Sequence, residues 1–284
     1  MNKIALSPNS LVGVPALEYI DALVKAGYDG IGLRMYASPG VAYESVTQPL
    51  AGNPPLMREV KHALQNSGLI LYDILSYYLR PDFDLERMRP SLEFGAELGF
   101  PYALAIGDDP DWNRQTDNLA QLCDVARSLN MTVTLEAPVG QNTVNTLPLA
   151  IKLIEDAGRD NAAICLDPFH FWRVGHDASL LNTFEPRLFP YTQLDDGVDS
   201  DGPPPRGRRE PGQGQVPLDD ILDALPSDLP LSIEWGRGRD SSYSAAEWAK
   251  IALDATKRYV EGYYARKAGA RKAADDSKSS VPPA

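Results

Sequence analysis

The sequence predicts an α/β fold, a single-domain (β/α)₈ TIM barrel, because short apolar runs alternate eight times with amphipathic stretches of helical period. The chain has 284 residues, of which 43% are hydrophobic and 23% are charged, which is enough to bury a large core. Eight strand–helix units of about 33 residues each match the usual size of such a barrel. We therefore expect the barrel to span residues 1–266, and we expect residues 267–284, which lack apolar periodicity, to form a disordered tail.

The predicted strands are mostly continuous apolar runs, which is typical of parallel strands that are covered on both faces. They comprise residues 3–7, 30–35, 69–76, 102–107, 132–136, 162–167, 190–194 and 231–235. The predicted helices comprise residues 16–26, 56–67, 85–98, 114–129, 147–157, 178–184, 218–225 and 245–264. A doubly wound open sheet is the competing architecture. It would carry a glycine-rich phosphate loop after the first strand, where this chain has Ser7-Pro8-Asn9-Ser10.

The charge balance excludes several classes of partner. The formal net charge is -12 at pH 7, so nucleic acid and anionic membrane surfaces are poor partners, and no apolar run is long enough to span a membrane.

The two cysteines, Cys123 and Cys165, lie in apolar stretches and suggest buried thiols in a reducing compartment. With no secretory segment at the start of the sequence, we expect a cytoplasmic protein that acts on a small molecule, either as a monomer or as a homo-oligomer.

Polar side chains end four consecutive predicted strands, where a barrel strand is expected to be apolar. These residues are Glu136, Asp167, Gln193 and Glu234. Strand ends converge on one mouth of a barrel, and three carboxylates so close would raise one another's pKa unless a cation neutralised them. Oxygen ligands suit a hard divalent ion, Mg²⁺ or Mn²⁺. The alternative for any one of these acids is that it caps a helix or pairs with an arginine.

Arginines and tryptophans near the same mouth are candidates for substrate binding. Arg34 lies at the end of the second predicted strand, and Arg209 lies in the loop after the seventh. A positive mouth on a negative body would favour an anionic substrate such as a carboxylate or a phosphate. Arg208 is expected to pair with surface acids instead. Trp172 and Trp235 could form an apolar wall for the substrate, or they could be aromatic residues of the barrel rim.

Four motifs in the same order resemble those of the xylose isomerase-like sugar phosphate isomerase/epimerase barrels. They are Gly27-Tyr-Asp-Gly-Ile-Gly-Leu, Leu166-Asp-Pro-Phe-His, Gln193-Leu-Asp-Asp and Arg209-Glu-Pro-Gly-Gln-Gly. The resemblance implies that Glu136, Asp167, Gln193 and Glu234 bind one divalent metal ion, that His170 contacts a substrate oxygen, and that Arg209 reaches into the site. Many members have histidine where this chain has Gln193, and glutamine occurs in members similar to hydroxypyruvate isomerases and 3-dehydroshikimate dehydratases. The strand-2 acid of the family is Gly32 here.

The resemblance implies a metal-dependent isomerase or epimerase of a small hydroxycarbonyl compound, a sugar or a keto acid. A metal that holds a carbonyl and the neighbouring hydroxyl would acidify the C–H between them and stabilise an enediolate. By analogy with the family, Glu136 and Glu234 would work on opposite faces of the substrate, one removing the proton while the other, or His170, returns it. Two alternatives stay open: a lyase of the 3-dehydroshikimate dehydratase kind, and a non-catalytic barrel subunit.

Overall fold

Eight parallel strands close into a barrel, as predicted. The structure is a computed structural model, and it describes residues 2–35, 50–199, 207–236 and 242–279. The strands are β1 (Ile4–Leu6), β2 (Gly30–Arg34), β3 (Ile70–Leu79), β4 (Tyr102–Gly107), β5 (Thr132–Glu136), β6 (Ala162–Leu166), β7 (Tyr191–Leu194), β8 (Asp196–Gly197), β9 (Arg208–Arg209) and β10 (Leu231–Ile233). β1 to β7 follow one another around the barrel and β10 closes it between β7 and β1, whereas β8 and β9 form a separate antiparallel pair.

Helices alternate with the barrel strands and cover them on the outside. They are α1 (Ala16–Ala26), α2 (Pro54–Gln65), α3 (Leu85–Leu98), α4 (Trp112–Ser128), α5 (Leu147–Ala157), α6 (Pro168–Arg173), α7 (Leu218–Ala224) and α8 (Ala245–Ser279). α6 was not predicted from the sequence. It forms because Pro168 occupies its first turn and the Asp167 side chain accepts a hydrogen bond from the His170 N–H at 2.9 Å. The helix expected at residues 178–184 is a 3₁₀ helix, Ala178–Thr183.

The last helix departs most from the sequence-based expectation. We expected residues from 267 onward to form a disordered tail, but α8 continues to Ser279, and residues 280–284 lie outside the described part of the chain. Side-chain contacts with α7 hold the turn of α8 that leads past residue 264. The Tyr263 hydroxyl donates to Asp223 Oδ1 at 2.7 Å, Lys267 pairs with the same carboxylate, and Arg266 Nη2 donates to Asp219 Oδ1 at 2.7 Å. Alanine and lysine, both strong helix formers, supply much of residues 265–274.

Apolar side chains fill most of the barrel interior. Leu75, Leu104, Ile106, Cys165 and Tyr191 form a cluster inside the barrel. Both cysteines are buried free thiols, as predicted, and burial raises the pKa of Cys123 to about 12. None of the described helices is both long and apolar enough to cross a membrane.

Beneath the barrel mouth, Asp73 takes the space that Gly32 leaves open. A Cβ at position 32 would overlap the Asp73 Oδ1 atom on the adjacent strand. The Tyr191 hydroxyl donates to Asp73 Oδ2 at 2.8 Å and lies 3.0 Å from Thr134 Oγ1. Gly32 has no side chain to contribute to the site, as expected, and the space beside it is filled by the Asp73 carboxyl group of β3.

Candidate active site

The four predicted ligands lie at the carboxyl ends of neighbouring barrel strands. Glu136 is the last residue of β5, Gln193 lies within β7, and Asp167 and Glu234 directly follow β6 and β10. The exposed fraction is only 4% for Glu136, 1% for Gln193, 3% for Asp167 and 8% for Glu234. Three carboxyl groups are therefore removed from water at one mouth of the barrel, where their charges must be compensated.

Hydrogen bonds and close approaches connect these side chains into one cluster. Gln193 Nε2 donates to Glu234 Oε2 at 2.6 Å. His170 Nε2 lies 3.7 Å from Glu136 Oε1 and 3.8 Å from Asp167 Oδ2. One guanidinium nitrogen, Nη2 of Arg208, donates to Asp167 Oδ2 at 2.8 Å and to Glu234 Oε1 at 3.4 Å. The structure thus brings the predicted oxygen ligands and His170 together.

Glu234 is held from several sides, whereas Glu136 is not. The Glu234 carboxylate accepts from Ser7 Oγ at 2.9 Å and from Asn9 Nδ2 at 3.2 Å. Arg34 donates to the other side of the same amide, at Asn9 Oδ1, so it is linked to the cluster through Asn9. Among the described residues, Glu136 has no hydrogen-bond donor, and its Oε1 lies 3.7 Å from His170 Nε2. The Glu136 carboxylate is therefore the less constrained of the two glutamates.

The two neighbouring arginines of β9 have the opposite roles from those we expected. Arg209 is exposed, and its Nη1 donates to the carbonyl of Arg208 at 2.9 Å. Arg208, which we expected to pair with surface acids, is buried and pairs with Asp167, Glu234 and Asp195. Successive residues of a strand point to opposite sides, so the pairing of β9 with β8 turns Arg208 inward and Arg209 outward.

Sequence reasoning missed Arg208 and Asp195 as members of the site. Asp195 directly follows β7, is completely buried, and accepts a hydrogen bond from Arg208 Nη1. The sequence carries a signal for each of them. Asp195 is an acid two residues after Gln193, at the predicted barrel mouth, and Arg208 and Arg209 are adjacent arginines, of which only one can face inward from a strand. The sequence alone does not fix which member that is.

The predicted aromatic residues lie half-buried at the rim. Trp172 packs against Phe169 with ring centroids 6.4 Å apart. Trp235 packs against Trp248 at 4.8 Å, and Trp248 Nε1 donates to the Trp235 carbonyl at 3.3 Å. Both tryptophans are thus packed against other rings, and their contact with a substrate stays a prediction.

Burial and charge separate the pKa values of the clustered acids. Burial, together with the charges of Glu234 and Asp167, raises the pKa of Glu136 well above its usual value. Burial also raises the pKa of Glu234, although Arg208 opposes this shift. For Asp167, burial alone would raise the pKa, but Arg208 and His170 lower it below the usual value. Glu136 is therefore suited to hold a proton, and Asp167 is suited to remain charged.

His170 is neutral at physiological pH in this environment. Burial is the main cause that lowers its pKa from 6.5 to about 4, despite the favourable charge of Asp167. Arg208 Nη2 lies 3.1 Å from His170 Nε2, and because arginine is a donor, Nε2 accepts and the proton resides on Nδ1. The Nε2 lone pair thus points into the acid cluster.

The donor set fits a divalent metal ion. One ligand atom from each of Glu136, Asp167 and His170 lies within 4.8 Å of the others. The Gln193 Oε1 atom is buried and has no hydrogen-bond partner in the described part of the protein, so it is an oxygen donor without a partner. Carboxylate and amide oxygens with one imidazole can hold Mg²⁺, Mn²⁺ or Zn²⁺. His170, which the sequence placed on the substrate, is thus also a candidate ligand.

Comparison with known sequences finds a family and several relatives. The sequence model of the family described as "Xylose isomerase-like TIM barrel" matches residues 20–259. An inosose isomerase of Halalkalibacterium halodurans is 32% identical over 277 aligned positions, which cover 88% of this chain and 92% of the relative. An inosose isomerase of Bacillus velezensis is 32% identical over 162 positions, where the chain spans 56% of the relative's length.

Comparison of structures finds the same barrel. The crystal structure of the IOLI protein with a bound zinc atom has a TM-score of 0.76 and 22% sequence identity, and the match covers 92% of this chain and 99% of that one. At this identity the likeness concerns the fold, and the zinc atom is a property of that protein.

Proposed function

Because the chain belongs to the xylose isomerase-like TIM barrel family and is an enzyme of the sugar isomerase and epimerase kind, we propose that it is a divalent-metal-dependent isomerase of a small polyhydroxy ketone. The observation that carries the proposal is the buried cluster of Glu136, Asp167, Gln193 and Glu234 at the barrel mouth. Together with Asp195, these three acids form four buried carboxyl groups, and Arg208 supplies only one positive charge against them, so a further cation would be stabilised there. The unpartnered Gln193 oxygen would supply a further ligand. Mg²⁺ and Mn²⁺ are the ions we propose.

The residues of the site can move a proton between neighbouring carbon atoms. A bound divalent ion would supply Lewis-acid polarisation of a carbonyl and the adjacent hydroxyl. Glu136 in its ionised form is the proposed base that takes the proton of the C–H between them, because its raised pKa makes that carboxylate a stronger proton acceptor and it has no hydrogen-bond donor among the described residues. Glu234, held by Ser7, Asn9 and Gln193, is the proposed partner on the other face. An enediolate would lie between the two proton transfers.

The contacts of the arginines favour a neutral polyol over an anion. Arg208 is occupied by three carboxylates, and Arg34 donates to Asn9, so the positive mouth expected from the sequence is largely compensated. Inosose, the substrate named for the relative from Halalkalibacterium halodurans, is a polyhydroxy ketone without a charged group. We therefore propose a neutral polyhydroxy ketone of the inosose class as the substrate. The free buried thiols of Cys123 and Cys165 support a cytoplasmic setting.

Hydrogen exchange in deuterated water tests this proposal. Purified protein with Mn²⁺ and an inosose should incorporate deuterium next to the carbonyl and form the isomeric ketone, as followed by NMR. Glu136→Gln removes the base and should slow turnover by at least about 100-fold. Glu93→Gln on the exposed face of α3 is the matched control and should leave the rate unchanged. Metal-independent turnover, or full activity of Glu136→Gln, would refute the proposal, whereas an unsaturated product would indicate the dehydratase chemistry.

A further inference from the structure

The side chain of Arg208 lies at the centre of the acid cluster. Its Nη2 donates to Asp167 Oδ2 at 2.8 Å and to Glu234 Oε1 at 3.4 Å, and it lies 3.1 Å from His170 Nε2. Its Nη1 donates to Asp195 Oδ2 and, at 3.1 Å, to the carbonyl oxygen of Glu234. The Phe169 ring lies 5.2 Å from its guanidinium carbon. A permanent cation is thus built into the site.

The atoms that bind Arg208 are also those that a metal ion would need. Asp167, Glu234 and His170 each present one ligand atom to a single guanidinium nitrogen. A divalent ion bound to the same atoms would meet a positive charge within hydrogen-bond distance of its ligands, and two cations repel strongly in a buried site. The guanidinium and the metal therefore cannot both use Asp167 and Glu234 in this arrangement.

We propose that Arg208 is a resident cation that competes with the divalent metal for Asp167 and Glu234 and thereby sets the metal affinity of the site. This inference rests on the proposed metal-dependent function. The arginine stabilises the acids when it is bound to them, and it must give up Asp167 and Glu234 for the metal to enter.

Asp195 offers the displaced guanidinium a second place to bind. Its Oδ2 already accepts from Arg208, while its buried Oδ1 has no partner in the described ranges of the chain. The side chain is fully buried, so a paired cation is the favourable state for it. Arginine and carboxylate readily form two parallel hydrogen bonds, so the N–H groups that leave Asp167 and Glu234 can turn to Asp195.

Titration of Mn²⁺ into the full-length protein, followed by isothermal calorimetry, tests the competition. Arg208→Gln keeps a polar side chain but removes the charge, so it should bind Mn²⁺ at least about tenfold more tightly than the wild type. Arg209→Gln, the exposed neighbour on the same strand, is the matched control and should bind as the wild type does. Binding by Arg208→Gln that is equal to or weaker than that of the wild type would overturn the inference.

Arg208→Lys keeps the test decisive if Arg208→Gln does not fold. Lysine retains the charge but lacks the planar fork, so it cannot bind Asp195 and Asp167 together. The competition predicts Mn²⁺ affinity at least about threefold above that of the wild type, and an unchanged or lower affinity contradicts it.

A double variant separates the role of Asp195 from general electrostatics. Asp195→Asn should weaken Mn²⁺ binding in the wild type, because Arg208 then has no second carboxylate, but it should have little effect in the Arg208→Gln background. Equal weakening in both backgrounds would contradict the proposed exchange. If neither the wild type nor any variant binds Mn²⁺, the proposed function fails together with the inference. If the wild type binds and Arg208→Gln is no tighter, the inference alone fails.

Discussion

Asp73 is a buried carboxyl group whose ionisation destabilises the fold. It is 2% exposed, and burial is the main cause that raises its pKa from 3.8 to about 7, although the hydrogen bond from Tyr191 opposes the shift. A pKa that is higher in the folded protein than in the unfolded chain stabilises the fold at low pH, and this contribution is lost as the pH rises through the folded value. At about 1.4 kcal/mol per pKa unit, ionisation of Asp73 costs about 4 kcal/mol at pH 8.

Asp73→Asn removes this cost, because asparagine has the same shape, stays neutral and can still accept the Tyr191 hydrogen bond. The variant should be more stable than the wild type by about 3–4 kcal/mol at pH 8, and this difference should shrink to below about 1 kcal/mol at pH 4. For a chain of this length, the change corresponds to a melting temperature raised by roughly 6 °C at pH 8.

Thermal and urea unfolding of both proteins between pH 4 and pH 8 measures the difference. Asp82→Asn, at an exposed position, is the control and should follow the wild type at every pH. Parallel stability curves for Asp73→Asn and the wild type across this range would show that burial does not raise the pKa of Asp73.

Three further predictions concern neighbouring features. Gly32→Ala should destabilise the fold by about 1–3 kcal/mol in urea unfolding, because the added Cβ overlaps Asp73 Oδ1. Asp73→Ala in the same chain should relieve part of this loss. An unchanged urea midpoint in Gly32→Ala would show that Asp73 does not fill the space beside residue 32. Asp196→Asn should lower the free energy of unfolding by about 2–4 kcal/mol, because the carboxylate accepts from the backbone N–H groups of residues 197, 212, 214 and 216 and an amide can accept only about half of these hydrogen bonds. An unchanged free energy of unfolding would show that Asp196 does not stabilise this loop. The affinity for Mn²⁺ should rise with pH, and Mn²⁺ binding should release protons, because the raised pKa of Glu136 keeps that carboxyl protonated to higher pH. Calorimetry in buffers of different ionisation enthalpy measures the number of protons released. A pH-independent affinity argues against Glu136 as a ligand.

The strand-end acids could be predicted because their placement follows from topology alone. In a parallel barrel the residues that end the strands meet at one mouth, so four polar residues at equivalent positions had to converge. Glu136 and Glu234 followed from this rule without knowledge of any contact. The same rule placed Asp167 correctly, and the sequence-based alternative that it caps a helix also holds, since one carboxylate oxygen caps α6 while the other binds Arg208.

The remaining features depend on contacts between distant segments, which local patterns do not encode. The choice between Arg208 and Arg209 depends on how β9 pairs with β8, and a shift of one residue reverses it. The position of Asp73 depends on the missing side chain of Gly32 across the strand pair. The turn of α8 just beyond residue 264 is held by acids of α7, which lie more than 40 residues earlier in the chain.

Metal titration tests whether the clustered oxygen atoms bind one divalent ion, as we propose. Calorimetric titration of the metal-stripped protein should give one Mn²⁺ per chain. The double substitution Glu136→Gln with Asp167→Asn should abolish this binding while circular dichroism shows an intact fold. Unchanged Mn²⁺ binding in the double variant, or no binding by the wild type, would show that these oxygen atoms do not form a metal site.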